Sequence, residues 1–505
     1  MANTFMNALT EETNYSHTLN GGTAYKSTLN KVMDMFALGG AFRGRNDDDC
    51  ILLFKNAYEE DSTLALKCLF YLRDCREGAG ERRFFRVCFR WLAVNHPEAA
   101  SRNLRNIAEY GRFDDLLYST LDTPIQNDAL IIIKEQLIKD LNSDTPSLLA
   151  KWLPSLNCSS KATKRAANIV RNWLQMSNKE YRQTLSKLRK QINVLECLMS
   201  ANEWDKIDFS KIPSRAGLIY KDAFARRDLI AKKYEEFAKD ANTKVNAGTL
   251  YPYEIVSKVG KACQYWENAS HMAPVDRAMV NKYWENLPDY LCGNPCKIMC
   301  VVDTSGSMTI RRKYGVPIDV AISLGMYCAE RIGGPFKDHY ISFASKPKFI
   351  KVEGVDFADK VCRIVRTNLC DNTNLEAVFD MLLDVALRSD VNINDLPETL
   401  IIISDMEIDE ATYSYSTSQK HGWSINSAQT EMDKIREKWQ EHDLKLPKLV
   451  YWNVDAKQNT ILDKGSDVTF VSGLSPILFQ SILSGKSGWD LCLDKLLSER
   501  YNPVY

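Results

Sequence analysis

The stretch Lys297–Met308, KIMCVVDTSGSM, constrains the fold of this chain more than any other. Its apolar run Ile298–Val302 ends in Asp303, and Ser305, Gly306 and Ser307 follow at once. A short continuous apolar run closed by small polar residues predicts a buried parallel strand that opens into a loop at its C-terminal end. In open α/β sheets that end is where ligands bind. A carboxylate with hydroxyls two and four residues later supplies hard oxygen donors, which suit Mg²⁺ or another hard divalent ion such as Mn²⁺. Ser and Asp also cap helices and build turns, so this pattern alone does not separate a metal site from ordinary loop chemistry.

Two later stretches sharpen it. Asp371–Leu383, DNTNLEAVFDMLL, sets Thr373 at the head of an amphipathic helical pattern, and Glu398–Asp405, ETLIIISD, is a second buried-strand pattern ending in a carboxylate. Asp303, Ser305, Ser307, Thr373 and Asp405, in that order, resemble the metal-ion-dependent adhesion site (MIDAS) of a von Willebrand factor A domain. The resemblance implies a Rossmann-like α/β domain over residues 297–505. It further implies that Ser305 and Ser307 bind the metal directly, with Asp303 and Asp405 often acting through water. Thr373 would join when a ligand binds, and an open position would accept a partner's oxygen. Asn372 and Met406 stand where that family commonly has glycine, which bears on loop geometry more than on the ligand set.

The same region alternates strand and helix patterns, with strands expected at Ile298–Val302, Asp338–Phe343, Lys346–Lys351, Thr399–Ser404, Lys448–Asn453 and Thr469–Val471. Repeated αβ units demand a mainly parallel sheet. The Tyr- and Ser-rich segment Glu410–Trp423 follows Asp405 and is a candidate partner-contact loop on the metal side.

A length of 505 residues exceeds what one core organises, so more than one domain is expected. Lys+Arg and Asp+Glu both total 65, so no global charge argues for nucleic acid or membrane, and only local patches can. No apolar run is long enough to span a membrane, and MANTFMNALTEETNYS lacks a signal peptide's apolar core. A cytoplasmic protein is expected, with the nucleus as the alternative. The 14 cysteines are scattered, and Cys68, Cys88, Cys300 and Cys328 sit in apolar patterns typical of reduced thiols. Cys292, Cys296 and Cys300 have the wrong spacing for a zinc knuckle.

Upstream, residues 1–30 read as a polar arm and residues 31–290 as an all-α, HEAT-like helical-repeat region, with a joint at Pro288–Pro295 leading into the α/β domain. Helical patterns fall at Cys50–Glu60, Ser62–Cys75, Phe84–Val94, Pro97–Tyr110, Phe113–Ser119 and Ile125–Leu141, and a long one is expected over Gly217–Asp240. Two glycines, Gly78 and Gly80, break one turn, and Arg73, Arg76, Arg82, Arg83 and Arg86 crowd it. Such a mixture of Arg with Asp and Glu fits either a salt-bridged joint or a phosphate-binding turn.

RDCREGAGER in that turn, YGRFDDLL at Tyr110–Leu117 and KWLPS at Lys151–Ser155 resemble a family described as domain of unknown function 2828. That family joins a helical region to a terminal A-type domain. It is remotely similar to the TROVE module of the Ro autoantigen, whose helical repeats form a ring that binds RNA. The resemblance therefore implies a ribonucleoprotein role. The residues carry a signal of their own. Between Lys151 and Lys190, Lys161, Lys164, Arg165, Arg171 and Arg182 belong to a basic strip whose single acid is Glu180, with Trp152, Trp173 and Tyr181 interleaved. Cations for phosphates and rings for unpaired bases are what a single-stranded RNA surface needs, although a charge run is also how a solvated helix face looks.

The expectation is an RNA-binding scaffold rather than an enzyme, using Arg73, Arg76, Arg82, Arg83 and the basic strip, with a metal-dependent domain that takes an acidic protein partner. The alternative is a protein-binding adaptor with no RNA role. A metal-dependent phosphoryl hydrolase would want a second metal or a clear general base, and the sequence offers neither.

Overall fold

The computed structural model describes residues 13–262, 272–312, 315–343, 346–367, 374–408, 431–463, 465 and 467–505. The chain divides into two compact units, one of Met1–Ser62 with Tyr251–Lys495 and one of Thr63–Leu250 with Leu496–Tyr505.

The first unit opens with a hairpin of strands β1 (Tyr15–His17) and β2 (Thr23–Tyr25). Its six-stranded sheet is built from β3 (Ile298–Asp303), β4 (His339–Phe343), β5 (Phe349–Lys351), β6 (Thr399–Ser404), β7 (Lys448–Asn453) and β8 (Val468–Ser472). The order is β5-β4-β3-β6-β7-β8, parallel throughout except for β5 against β4. Every residue of β3 is buried, which is why its sequence runs apolar instead of alternating. This is the doubly wound A-type arrangement, in which strand order reverses between β3 and β6 and leaves a crevice at their C-terminal ends. Close packing behind β3 depends on Gly325 in the helix Pro317–Arg331, where a Cβ would come within 2.4 Å of Val302 Cγ2.

Several segments expected in the helical region belong instead to this unit. The helix Lys31–Leu38 packs beside β8, and Gly40 N donates to Ser472 Oγ at 2.9 Å. A Cβ on Gly40 would lie 2.2 Å from Ser472 O, so only glycine fits. The helices Asp47–Glu60, Pro252–Ala262 and Pro274–Glu285 also fall here, because their apolar faces meet neighbours within this unit. Residues 13–30 are more than a polar arm: Thr18 Oγ1 donates to Ile408 O at 2.6 Å, Leu19 N to Glu407 Oε2 at 2.7 Å and Asn20 Nδ2 to Glu407 O at 2.8 Å. The hairpin turn is thereby bonded to the segment that follows β6.

The second unit is helical. Phe70 packs edge-to-face on Phe85, Phe89 and Tyr110, with centroids 5.3, 6.2 and 5.3 Å away. The single helix expected over Gly217–Asp240 is two, Ser214–Ala225 and Asp228–Lys239. Arg227 breaks it by adopting extended backbone while its guanidinium lies 3.5 Å over the Trp204 ring. The segment Leu496–Tyr505, expected with the α/β domain, belongs to this unit. Tyr501 stacks on Tyr110 with centroids 5.5 Å apart, and Arg500 Nε meets Asp74 Oδ2 at 2.6 Å.

Candidate functional site

The crevice at the ends of β3 and β6 gathers four of the five expected metal-site residues. Val302 pairs with Ile403, so Asp303 and Asp405 leave the sheet beside each other, 0% and 1% exposed. Asp303 Oδ1 accepts from Ser305 N at 2.8 Å and Oδ2 accepts from Ser404 Oγ at 2.5 Å, which locks the turn carrying both serines. Ser305 Oγ lies 3.2 Å from Ser307 Oγ, and Ser307 Oγ donates to Asp405 Oδ2 at 2.9 Å. Burial, and then repulsion from Asp405, push the Asp303 carboxyl up to about 7. These two buried carboxylates and two hydroxyls are hard-oxygen donors of the kind a divalent cation takes, and one ammonium, that of Lys457, already stands against Asp405. Met406, standing where the A-type family commonly has glycine, adopts φ 64, the left-handed region that glycine enters most freely. Its N–H donates to Ser404 Oγ at 3.0 Å, so the loop keeps a glycine-like path with a methionine in it. Thr373, Asn372 and the segment Glu410–Trp423 lie outside the described residues.

Sequence reasoning missed Lys457. Its Nζ stands 2.5 Å from Asp405 Oδ2, with the lysine side chain 14% exposed. Arg45 Nη1 donates to Lys457 O at 2.5 Å, and Arg45 Nε is fixed by Asp49 Oδ2 at 2.8 Å. In a second pair, Arg312 Nε meets Asp455 Oδ2 at 2.9 Å, and its acid lies on the same loop after β7 as Lys457. The available signal was topological: β7 neighbours β6, so charges just past its end fall near Asp405. The cysteines do not converge, as Cys292 is exposed while Cys300 is buried and hydrogen-bonded to Cys328.

In the helical unit, the helices Lys161–Trp173 and Asn178–Gln191 bury Ala166, Ala167, Val170, Tyr181, Leu185 and Leu188 and expose Lys161, Lys164, Lys179, Arg182, Lys187 and Lys190. Arg165 pairs with exposed Asp122, its Nη1 2.9 Å from Oδ2. Arg171 is half-buried and bonds Asn178 Oδ1 at 2.7 Å. Arg182 Nε returns to Asn178 O at 3.1 Å. The arginine-rich turn divides differently. Arg73 is 3% exposed and grips Asp115 Oδ2 with Nε at 2.9 Å and Nη2 at 2.6 Å, so it is a buried ion pair with no face for RNA. Arg76 bonds Glu109 O, Arg83 is half-buried, and Arg82 is exposed.

Residues 18–118 and 159–293 match the family described as Domain of unknown function (DUF2828). The chain is similar to that family over these residues. Residues 297–491 match a second description, Domain of unknown function (DUF7788). The DUF2828 match includes RDCREGAGER and YGRFDDLL but passes over KWLPS, and it draws on both compact units. A relative, uncharacterized protein L728 of Acanthamoeba polyphaga mimivirus, is 28% identical over 97% of this chain and 89% of its own length. Among solved structures, the Ro (RSR) protein of Deinococcus radiodurans aligns over 95% of this chain and 100% of its own, with 12% identity and a TM-score of 0.49. No helix among the described residues is long and apolar enough to cross a membrane.

Proposed function

We propose that this chain is a non-catalytic RNA-binding scaffold whose helical unit holds unpaired or structured RNA and whose A-type domain takes an acidic protein partner through a divalent ion. The observation that carries the RNA reading is the exposed strip. Lys161, Lys164, Lys179, Lys187 and Lys190 point away from the buried faces of their helices, and none has a carboxylate partner among the described residues. Glu180, the one acid of this stretch, is occupied in capping, where its side chain accepts from Ser177 N at 2.7 Å. Five exposed lysines without carboxylate partners, beside the Arg165–Asp122 pair, suit a polyanion. The resemblance of RDCREGAGER and YGRFDDLL to the DUF2828 family, itself remotely similar to the RNA-binding TROVE module, agrees with it.

At the sheet end, Ser305, Ser307 and Asp405 would hold the ion, with Asp303 fixing the turn beneath them. Bound there, the ion supplies a Lewis-acid position for a partner's carboxylate. The serines bond to each other and to Asp405, an arrangement that offers oxygens to a cation and not a relay to a nucleophile.

The test is binding of a fluorescein-labelled single-stranded RNA across a salt series. Reversing Lys161, Lys164, Arg165 and Arg171 to Glu should weaken binding and lower the log–log salt slope by about 0.7 for each phosphate no longer neutralised. An unchanged slope would move the RNA surface off these helices, and absence of binding by the wild-type chain would overturn the RNA reading.

A further inference from the structure

Three motifs far apart in the chain meet in the helical unit. Arg73 and Arg86 come from RDCREGAGER and the residues after it, Arg112, Asp114 and Asp115 from YGRFDDLL, and Lys151 and Trp152 from KWLPS. A buried layer pairs Arg73 with Asp115 beneath Gly111, where a Cβ would lie 2.7 Å from Asp115 Oδ2 and 2.8 Å from Arg73 Nε. Above it, Arg86 Nη2 meets Asp114 Oδ2 at 2.8 Å, Arg86 Nε meets Asp115 Oδ1 at 2.6 Å, and Arg112 Nε meets Asp114 Oδ1 at 2.8 Å. The Arg112 guanidinium lies 3.7 Å over the Trp152 ring, with Lys151 Nζ 5.4 Å from the same ring.

The acids of this cluster are all engaged. Asp115 accepts from Arg73, Arg86 and the Arg112 backbone, Asp114 accepts from Arg112 and is ion-paired with Arg86, and Glu81 caps the helix Arg82–Asn95 by accepting from Arg83 N at 2.9 Å. Arg82, in the first turn of that helix, is left exposed with no carboxylate bound to it among the described residues. Arg82 lies four residues before Arg86 on that helix and so shares the face from which Arg86 reaches Asp114. The outer layer is therefore rich in positive charge: the Arg112 guanidinium is held by the Trp152 ring and, through Nε and Nη2, by Asp114, and Arg82 faces solvent.

We propose that Arg82 and Arg112, with Lys151 beside Trp152, form a phosphate-binding site for the backbone of an RNA strand, in addition to the lysine strip. Guanidinium groups match phosphate oxygens, and Trp152 with Asp114 fixes the Arg112 guanidinium in place, so that its positive charge lies beside that of Arg82. The site rests on the RNA-binding reading above, and its test separates the two.

Full-length wild type, Arg82→Gln and Arg82→Lys are titrated with labelled oligouridylate and oligoadenylate over a salt series, with melting curves for all three. Arg82→Gln should melt with the wild type, show a salt slope shallower by about 0.7 and weaken both oligonucleotides alike. Arg82→Lys should keep the slope. Wild-type binding with an unaltered slope in Arg82→Gln overturns this site and leaves the scaffold reading standing. An equally shallow slope in the Gln and Lys variants also overturns it, since charge is then not what Arg82 supplies. No RNA binding by the wild type overturns both, as does Arg82-dependent binding of a phosphoserine peptide in its place.

Discussion

Lys457 Nζ lies 2.5 Å from Asp405 Oδ2, the same carboxylate oxygen that accepts a hydrogen bond from Ser307. One oxygen thus serves both an internal cation and the row of hydroxyls suited to a divalent ion. An incoming ion must share Asp405 with the ammonium or displace it. Lys457→Met should strengthen Mg²⁺ or Mn²⁺ binding by about tenfold or more, because a charge pair this close is worth several kcal/mol even at an effective dielectric of about 20. It should also lower the melting point in chelator, since Asp405 then stays buried without its partner. Equal calorimetric affinities in variant and wild type would show that lysine and metal do not compete.

Asp303→Ala should abolish divalent binding and leave the fold intact, because it removes the carboxylate that holds Ser305 in place. In the wild type, raising Mg²⁺ to about 100 times its dissociation constant should stabilise the unit by about 2.7 kcal/mol, and chelation should reverse this. In Asp303→Ala the melting point should ignore both. A Mg²⁺-dependent shift that survives the substitution would place the ion elsewhere.

Arg73→Ala should cost about 3 kcal/mol in urea unfolding, because the fully buried Asp115 loses two hydrogen bonds from a guanidinium and keeps only Arg86 and the Arg112 amide. The exposed pair Arg165–Asp122 has similar geometry, yet Arg165→Ala should barely move the curve, since water and salt screen it. If the two substitutions cost the same, burial is not what sets the worth of these pairs.

The α/β unit also carries a pH signature at Asp319, in the helix Pro317–Arg331. Burial pushes its carboxyl up to about 6, against smaller lowering contributions from Ser257 and Lys261. A carboxyl whose folded pKa exceeds its unfolded value of about 3.9 favours the folded state most below about pH 4. That contribution is lost as pH rises to about 6. Asp319→Asn should therefore flatten the stability curve between about pH 4 and 6 and add on the order of 2 kcal/mol near pH 7. A curve that keeps its slope in the variant would assign the titration to another group.

What the sequence disclosed follows how local each determinant is. β6 and β7 fall on the residues expected, Thr399–Ser404 and Lys448–Asn453, because a strand buried on both faces must be continuously apolar. Asp303, Ser305, Ser307 and Asp405 were legible for the same reason, as they cluster just past two such strands. Lys457 was not, since its role depends on which strand neighbours β6. The split at Arg227 carries no glycine or proline, and Trp204, which receives its guanidinium, is 23 positions away, the difference between 227 and 204. Arg73 and Arg82 look alike in RDCREGAGER, and only packing around Asp115 makes one an interior ion pair and leaves the other outside.

The hydrogen bond from Thr18 to Ile408 spans 390 positions, and the whole stretch Thr63–Leu250 is interposed between its ends. On a ribosome adding about 5–20 residues per second, the hairpin waits roughly 20–80 s before the strand end that receives it exists. Throughout that interval Met33, Met35 and Phe36 of the following helix, buried in the finished unit, lack the sheet that covers them. The helical insert has time to fold first. Nascent chains arrested before Ile408 should accordingly expose a sticky apolar end, and the burden of biogenesis falls on whatever shields it.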